Sequence, residues 1–163
     1  MEKITRQIIN SILILVLILL FIPQCTGTRP SHVAEGHGKL APCPETPNCV
    51  STESTDAEHK IEPLTYNTET NIAMSTLVDV IHAMKRTKII AQTENYLYAE
   101  FTSAFWRFVD DVEFSFDEEN KIIHFRSASR LGKSDFGVNR ERMEEVRKRF
   151  NERIKTKEGA DDE

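Results

Sequence analysis

One stretch of the chain gathers the residue types that hold anions: Arg126-Ser127-Ala128-Ser129-Arg130-Leu131-Gly132-Lys133-Ser134-Asp135-Phe136-Gly137-Val138-Asn139-Arg140. Cations stand at 126, 130, 133 and 140, hydroxyls at 127, 129 and 134, and glycines at 132 and 137. The stretch sits where a strand pattern gives way to a helix pattern. Backbone N–H groups at a helix start, flanked by arginines, can hold a phosphate or a carboxylate. Arg126, Ser127, Ser129, Arg130, Asn139 and Arg140 are therefore a candidate ligand-binding set. Asp135 weighs against it, because a carboxylate at the helix start competes with an incoming anion. The competing reading is structural: Arg126 and Arg130 pair with Asp110, Asp111 and Glu113, while Asp135 caps the helix. Stripping one partner from a buried ion pair costs several kcal/mol, which is enough to hold such residues in place without any ligand.

A hydrolase acting on a phosphate or carboxyl ester is the alternative. It would use Asp110 or Asp111 as acid, base or metal ligand, Ser127 or Ser129 as nucleophile, and His124 as base. Neighbouring residues on a strand point to opposite faces, so Asp110 and Asp111 do not converge without a bulge. The chain has no Gly-x-Ser-x-Gly, His-Glu-x-x-His, phosphate-loop or dinucleotide fingerprint. The reading is accordingly non-catalytic, with no catalytic residue, cofactor or metal assigned.

Three cysteines remain to be placed. Cys43 and Cys49 have five residues between them and lie among Pro42, Pro44 and Pro47, which favours a local disulfide in an oxidising compartment. A metal site with His37 or His59 is the rival, although structural zinc sites usually use closer pairs and two of them. Cys25 follows an apolar run in the position of an acylated lipoprotein cysteine, in the segment Phe21-Ile22-Pro23-Gln24-Cys25. Gln24 is not the small residue such a box normally places there.

That apolar run fits a secretory signal. Lys3 and Arg6 precede Ile12 to Ile22, and Pro23 ends it. From Ile8 to Ile22 a helix rises only ~22 Å, short of the roughly 30 Å hydrocarbon core. Residues 1–24 are read as a signal or membrane-anchor segment, by cleavage, acylation at Cys25 or an uncleaved anchor. All three place the rest of the chain outside the cytoplasm, in the cell envelope. Residues 26–60, rich in Thr, Ser, Pro, Gly, Glu and His, read as a spacer between membrane and domain, with residues 25–41 as the tether.

The elements that position the candidate residues follow from periodicity. Ile61-Glu62-Pro63-Leu64-Thr65-Tyr66 suits a short edge strand. Ala73, Leu77, Val80, Ile81 and Met84 recur at helical spacing, with Thr68 or Thr70 as cap. From Thr87 to Ser129 the period is two, which predicts an antiparallel meander turning at Glu94-Asn95 and at Asp117 to Lys121. Burial predicts the last hairpin's register: Phe116 opposite Ile123, Phe114 opposite Phe125, Glu113 opposite Arg126, Ser115 opposite His124, and Asp111 diagonal to Arg126 and Arg130. Phe101, Phe105, Trp106 and Phe108 read as sheet core with Trp106 near an edge, or else as an exposed patch for a lipid or protein partner. Met143, Val146, Phe150 and Ile154 mark a final helix from about Val138 to Lys155, and residues 156–163 read as a charged tail.

The segments Phe108 to Phe114 and Arg126 to Arg142, together with the Cys-Pro-rich opening at Pro42, resemble the family known as domain of unknown function 1499. The likeness runs from about Pro42 to Phe150, and no activity comes with it. It supports a single domain over residues 42–155.

The whole chain has 163 residues, 39% hydrophobic and 29% charged, with a net charge of -5. That length accommodates one domain and an appendage, and the acidity argues against a nucleic-acid partner. The expected fold is α+β: a meandering antiparallel sheet with two helices packed on one face, preceded by a disulfide-closed loop. The expected protein is a cell-envelope binding module, membrane-associated through its N-terminus, for an anionic small ligand, lipid headgroup or envelope protein.

Overall fold

Alternation over four consecutive strands gives the chain a sheet with one apolar and one polar face, and two amphipathic helices to cover the apolar one. The structure, a computed structural model, describes residues 2–20, 26–31, 33 and 40–158. In chain order it runs α1 (Glu2–Leu20), β1 (Cys49–Ser51), β2 (Leu64–Thr65), α2 (Thr70–Ala83), β3 (Thr87–Gln92), β4 (Tyr96–Thr102), β5 (Val109–Asp117), β6 (Ile122–Ser129) and α3 (Val138–Glu158). Strands β3 to β6 form the antiparallel meander, and β1 and β2 share the free edge of β6. The architecture is α+β, as the periodicity predicts.

The register agrees with the burial argument at every pair named for the last hairpin: Phe116 faces Ile123, Phe114 faces Phe125, Glu113 faces Arg126 and Ser115 faces His124. Leu97, Ala99 and Phe101 continue the same apolar face on β4. Ala73, Met74, Leu77, Val80 and Ile81 of α2 and Met143, Val146, Phe150 and Ile154 of α3 pack on it to make the core. Burial of a side chain such as Phe150, which is fully buried, contributes on the order of 1.5–3 kcal/mol.

The disulfide joins Cys43 to Cys49, with Cα atoms 5.7 Å apart. It anchors the loop to β1, whose Cys49 pairs with Ala128 of β6. His59 fastens the next turn to this loop, with Nε2 3.2 Å from the Thr46 carbonyl and Nδ1 2.8 Å from Asp56 Oδ1. Burial pulls the His59 pKa down, but these two contacts outweigh it and hold it above the ordinary value. Chain-entropy arguments for so short a closed loop give roughly 2 kcal/mol of stabilisation from the bridge. The double variant Cys43→Ser/Cys49→Ser is expected to lose about that much in urea denaturation, and wild type under reductant should match it.

Several local expectations change. Glu69, not Thr68 or Thr70, is the N-cap of α2, and it makes no side-chain capping bond. Thr70 is instead helical and within 3.1 Å of the Tyr66 hydroxyl. The edge strand shrinks to Leu64–Thr65, because Pro63 lacks the N–H that a longer ladder would need. Helix α3 continues through Glu158, so residues 156–158 of the expected tail are helical. Residues 103–108 form the β4–β5 connection, and Phe105, Trp106 and Phe108 are exposed there, whereas Phe101 alone of the four joins the core. In the described parts of 25–41, three residues meet the domain. Val33 is buried against Tyr96 and Tyr98, Leu40 is buried, and Arg29 bonds to Glu100. Cys25 and His37 lie outside the described residues. In α1 the side chains of Ile8, Ile9, Ile12, Leu13 and Ile14 are all more than half exposed, and among the described residues no helix is long and apolar enough to cross a membrane.

Candidate functional site

Strand alternation divides the candidate residues between two faces. Asp111 and Glu113 of β5, with His124 and Arg126 of β6 and Arg130 just beyond it, lie on the face away from the helices. Asp110, Ser127 and Ser129 lie on the helix face, where α3 supplies Asn139 and Arg142. The arrangement makes two separate polar clusters.

The first cluster covers the polar face and is centred on Arg130. Its Nη2 donates to Asp111 Oδ1 at 2.7 Å and its Nε to Asp111 Oδ2 at 2.9 Å, a two-pronged pairing, and Nη2 also donates to Glu100 Oε1 and to the Tyr98 hydroxyl. Tyr98 in turn donates to Asp111 Oδ1 at 2.5 Å. Arg29 closes the group from above: its Nη2 donates to Glu100 at 2.5 Å and its guanidinium lies 5.7 Å from the centre of the Tyr98 ring. The hydrogen bonds from Arg130 to Asp111, working against burial, hold the guanidinium even more firmly protonated than usual. Burial first, and then the bond to Asp111, pushes the Tyr98 phenol far above its ordinary value. Burial pushes Glu100 up, but Arg130 and Arg29 overcome it and leave the carboxyl below the usual range.

Beside this group, Tyr96 donates to Glu113 Oε1 at 2.7 Å, and Arg126 Nη1 lies 3.6 Å from Glu113 Oε2. Arg126 is 6% exposed, and its Nε has no hydrogen-bond partner among the described residues. Burial lowers the pKa of this guanidinium, a pull that the nearby Glu113 and Asp111 oppose.

The second cluster ties α3 to the sheet. Asn139, fully buried, accepts from Ser127 Oγ at 2.5 Å and from Arg142 Nη1 at 2.6 Å, and donates to the Asn48 carbonyl and to Ser129 Oγ, both at 3.1 Å. Arg142 Nη2 donates to Asp110 Oδ2 at 2.5 Å. Asp110 therefore pairs with Arg142, not with Arg126 or Arg130, because the strand turns it toward the helices. Asp135 caps α3, accepting from Gly137 N at 3.0 Å and Asn139 N at 2.7 Å. Arg140 donates to the carbonyls of Lys60 and Glu58, at 2.9 and 2.7 Å.

The candidate anion set does not come together as a whole; only Ser127, Ser129 and Asn139 meet. Arg126 and Arg130 are on one face, Ser127, Ser129 and Asn139 on the other, and Arg140 is spent on two backbone carbonyls. The hydrolase residues separate in the same way: His124, with Nδ1 3.2 Å from Thr52 Oγ1, and Asp111 share a face that Ser127 does not. A cavity of about 780 Å³ opens at the far end of the sheet, beside Thr70, Met74, Gln92, Glu94 and Glu118, remote from both clusters. Among the described residues no three of His, Cys, Asp and Glu gather to hold a metal ion.

Sequence reasoning missed Tyr96, Tyr98 and Glu100, although they alternate with Leu97, Ala99 and Phe101 and so had to share a face with Asp111 and Glu113. Arg142 carried the helical i, i+3 spacing from Asn139 as its signal. Asn48 and Arg29 carried none, being joined to the clusters only through contacts distant in sequence.

These features define a small α+β domain with a disulfide-closed edge and two internally paired polar clusters. The chain belongs to the family described as Protein of unknown function (DUF1499), whose family model matches residues 39–150. No curated protein and no solved structure matches it.

Proposed function

We propose that this is a non-catalytic domain of the cell envelope, held at a membrane by its N-terminal segment and acting by binding. The supporting observation is the separation of the chemistry-bearing residues onto two faces, where Arg126, Arg130, Arg140 and Arg142 each meet a carboxylate or a carbonyl of the same chain. A buried charge already neutralised within the fold gains little from a second partner. The disulfide fits an oxidising compartment, and the exposed apolar side chains of α1 fit insertion or a processed signal. On this reading the binding partner is a membrane or protein surface.

A second reading, a site for a small anion, draws on Arg126 Nε, a buried donor that an incoming carboxylate or phosphate oxygen would satisfy. The two readings part in one experiment. Thermal unfolding of the full chain with inorganic phosphate, glycerophosphate headgroups and dicarboxylates should leave the melting temperature unmoved. A rise that saturates with one of them, and is lost in Arg126→Lys, would favour the anion site. An esterase and phosphatase screen, with and without divalent cations, should stay blank; turnover lost in Ser127→Ala would overturn the non-catalytic reading.

A further inference from the structure

The two ends of the sheet differ in chemistry. One end carries the β3–β4 turn with Glu94 and the β5–β6 turn with Asp117, Glu118 and Glu119, tied together by the bond from Phe116 N to the Asn95 carbonyl. The other end carries the β4–β5 loop and the β6–α3 loop, which lie side by side because Asp110 pairs with Ser129 and Arg130 N bonds to the Val109 carbonyl. From these two loops Phe105, Trp106, Phe108, Leu131 and Phe136 are all exposed, Phe136 by 94% and Phe105 by 69%, as is Val138 at the start of α3. Arg107 and Lys133 are exposed among them, and Arg86, at the start of β3, is exposed at the same end. The one carboxylate in the two loops, Asp135, is occupied in capping α3.

Exposed large apolar side chains clustered at one end mark an interaction surface, not ordinary solvent-facing residues. Arg107 and Phe136 also adopt left-handed backbone, at φ 59 and 56, a conformation uncommon in residues other than glycine. No packing of the Phe136 ring within the domain accounts for holding it there, since the ring faces solvent.

The N-terminal segment reaches the domain at this same end. A Cβ on Gly27 would sit 2.9 Å from Arg130 Cβ and 3.1 Å from Leu131 Cγ, which places the start of the segment against the β6–α3 loop. From there it runs across the polar face, past Arg29 on Glu100 to Val33 on Tyr96 and Tyr98. Leu20, the last residue of α1, precedes Thr26 by six peptide links, which span at most about 21 Å when fully extended. An N-terminus inserted through α1, or acylated at Cys25, would hold the aromatic end within that distance of the bilayer and leave the acidic end facing away.

We propose that the β4–β5 and β6–α3 loops dock into the surface of an anionic lipid bilayer. Trp106 and the phenylalanines would enter the headgroup boundary, and Arg86, Arg107 and Lys133 would face lipid phosphates. Aromatic side chains favour this boundary, and basic residues beside it add attraction to anionic lipid. The acidic turns at the opposite end disfavour the reverse orientation. The inference rests on the membrane-held reading above and adds a second, orienting contact to the N-terminal one.

Trp106 is the chain's only tryptophan, so its fluorescence reports this surface alone. The full chain would be reconstituted into vesicles of mixed phosphatidylglycerol and phosphatidylcholine, some containing lipid brominated high on the acyl chain. Docking predicts a blue-shifted Trp106 emission that loses more than half its intensity to the brominated lipid. Phe136→Ser, which alters a solvent-facing ring, should reduce both effects while the chain still floats with the vesicles. If the chain floats but Trp106 emits as in water and is unquenched, docking is overturned and membrane attachment stands. If the chain does not float, both fail. A blue shift already present without vesicles, and reversed by dilution, would assign the surface to a second copy of the chain and overturn docking.

Discussion

Replacing Arg130 by alanine should cost about 3–5 kcal/mol of folding stability, the range expected when one partner is removed from a buried ion pair. Its side chain is 6% exposed and that of Asp111 is 2% exposed, so both charges of the pair are buried. Glu100 would keep Arg29, whereas Asp111 would retain only the Tyr98 hydroxyl among the contacts described for it. Urea denaturation followed by circular dichroism measures the loss directly. Arg130→Lys, which keeps the charge but not the two-pronged geometry, should lose less. The double variant Arg130→Met/Asp111→Leu should recover most of the stability, because removing both charges also removes their desolvation cost. A loss below about 1 kcal/mol in Arg130→Ala would mean that the pair is effectively solvated. The polar face would then be open to a ligand, and the anion reading would gain at the expense of the one preferred here.

The second large effect is expected at Asn139, where alanine should cost about 2–4 kcal/mol. The amide both accepts and donates: Ser127 and Arg142 give protons to its oxygen, and its nitrogen gives protons to Asn48 and Ser129. Truncation leaves the buried Ser127 hydroxyl without its acceptor and Arg142 Nη1 with only Ser127 Oγ, at 3.3 Å, while Asp110 still holds Nη2. Asn139→Asp separates the two halves of the role. The carboxylate still accepts from Ser127 and Arg142 but no longer donates to the Asn48 carbonyl, so an intermediate loss is expected. Chemical denaturation of both variants would test the order; equal losses would show that the accepting half contributes nothing. Asn139→Ala is not expected to alter Trp106 fluorescence in a chain that remains folded, since the cluster is buried between α3 and the sheet.

Much of the fold was legible in the chain because strand period and burial leave few choices. Phe114, Phe116, Ile123 and Phe125 cannot reach the helices unless Glu113 and Arg126 face the other way, and a slip of one residue would reverse all of them. The α2 and α3 stripes had no other apolar surface of comparable size to cover. The close Cys43 and Cys49 pair was equally readable, since so short a separation limits the alternatives. The aromatic run 105–108 was not. Composition makes it resemble core, and only its position in the loop beyond β4 leaves Phe105 and Trp106 in solvent.

The partners of the charges were legible only in part. Alternation by itself separates Asp110 from Asp111, places Asp111 diagonal to Arg130, and splits Ser127 from His124, which divides the proposed catalytic residues without any coordinates. It does not say that Arg142 reaches Asp110, that Arg29 and Arg130 share Glu100, or that Asn139 reaches back to Asn48. These contacts join residues 30 to 91 positions apart. Local pattern decides which face a side chain takes, because the backbone period is a property of the strand or helix itself. Which charge neutralises it is decided by the packing of separate elements, because a long flexible side chain pairs with whatever the fold brings within reach.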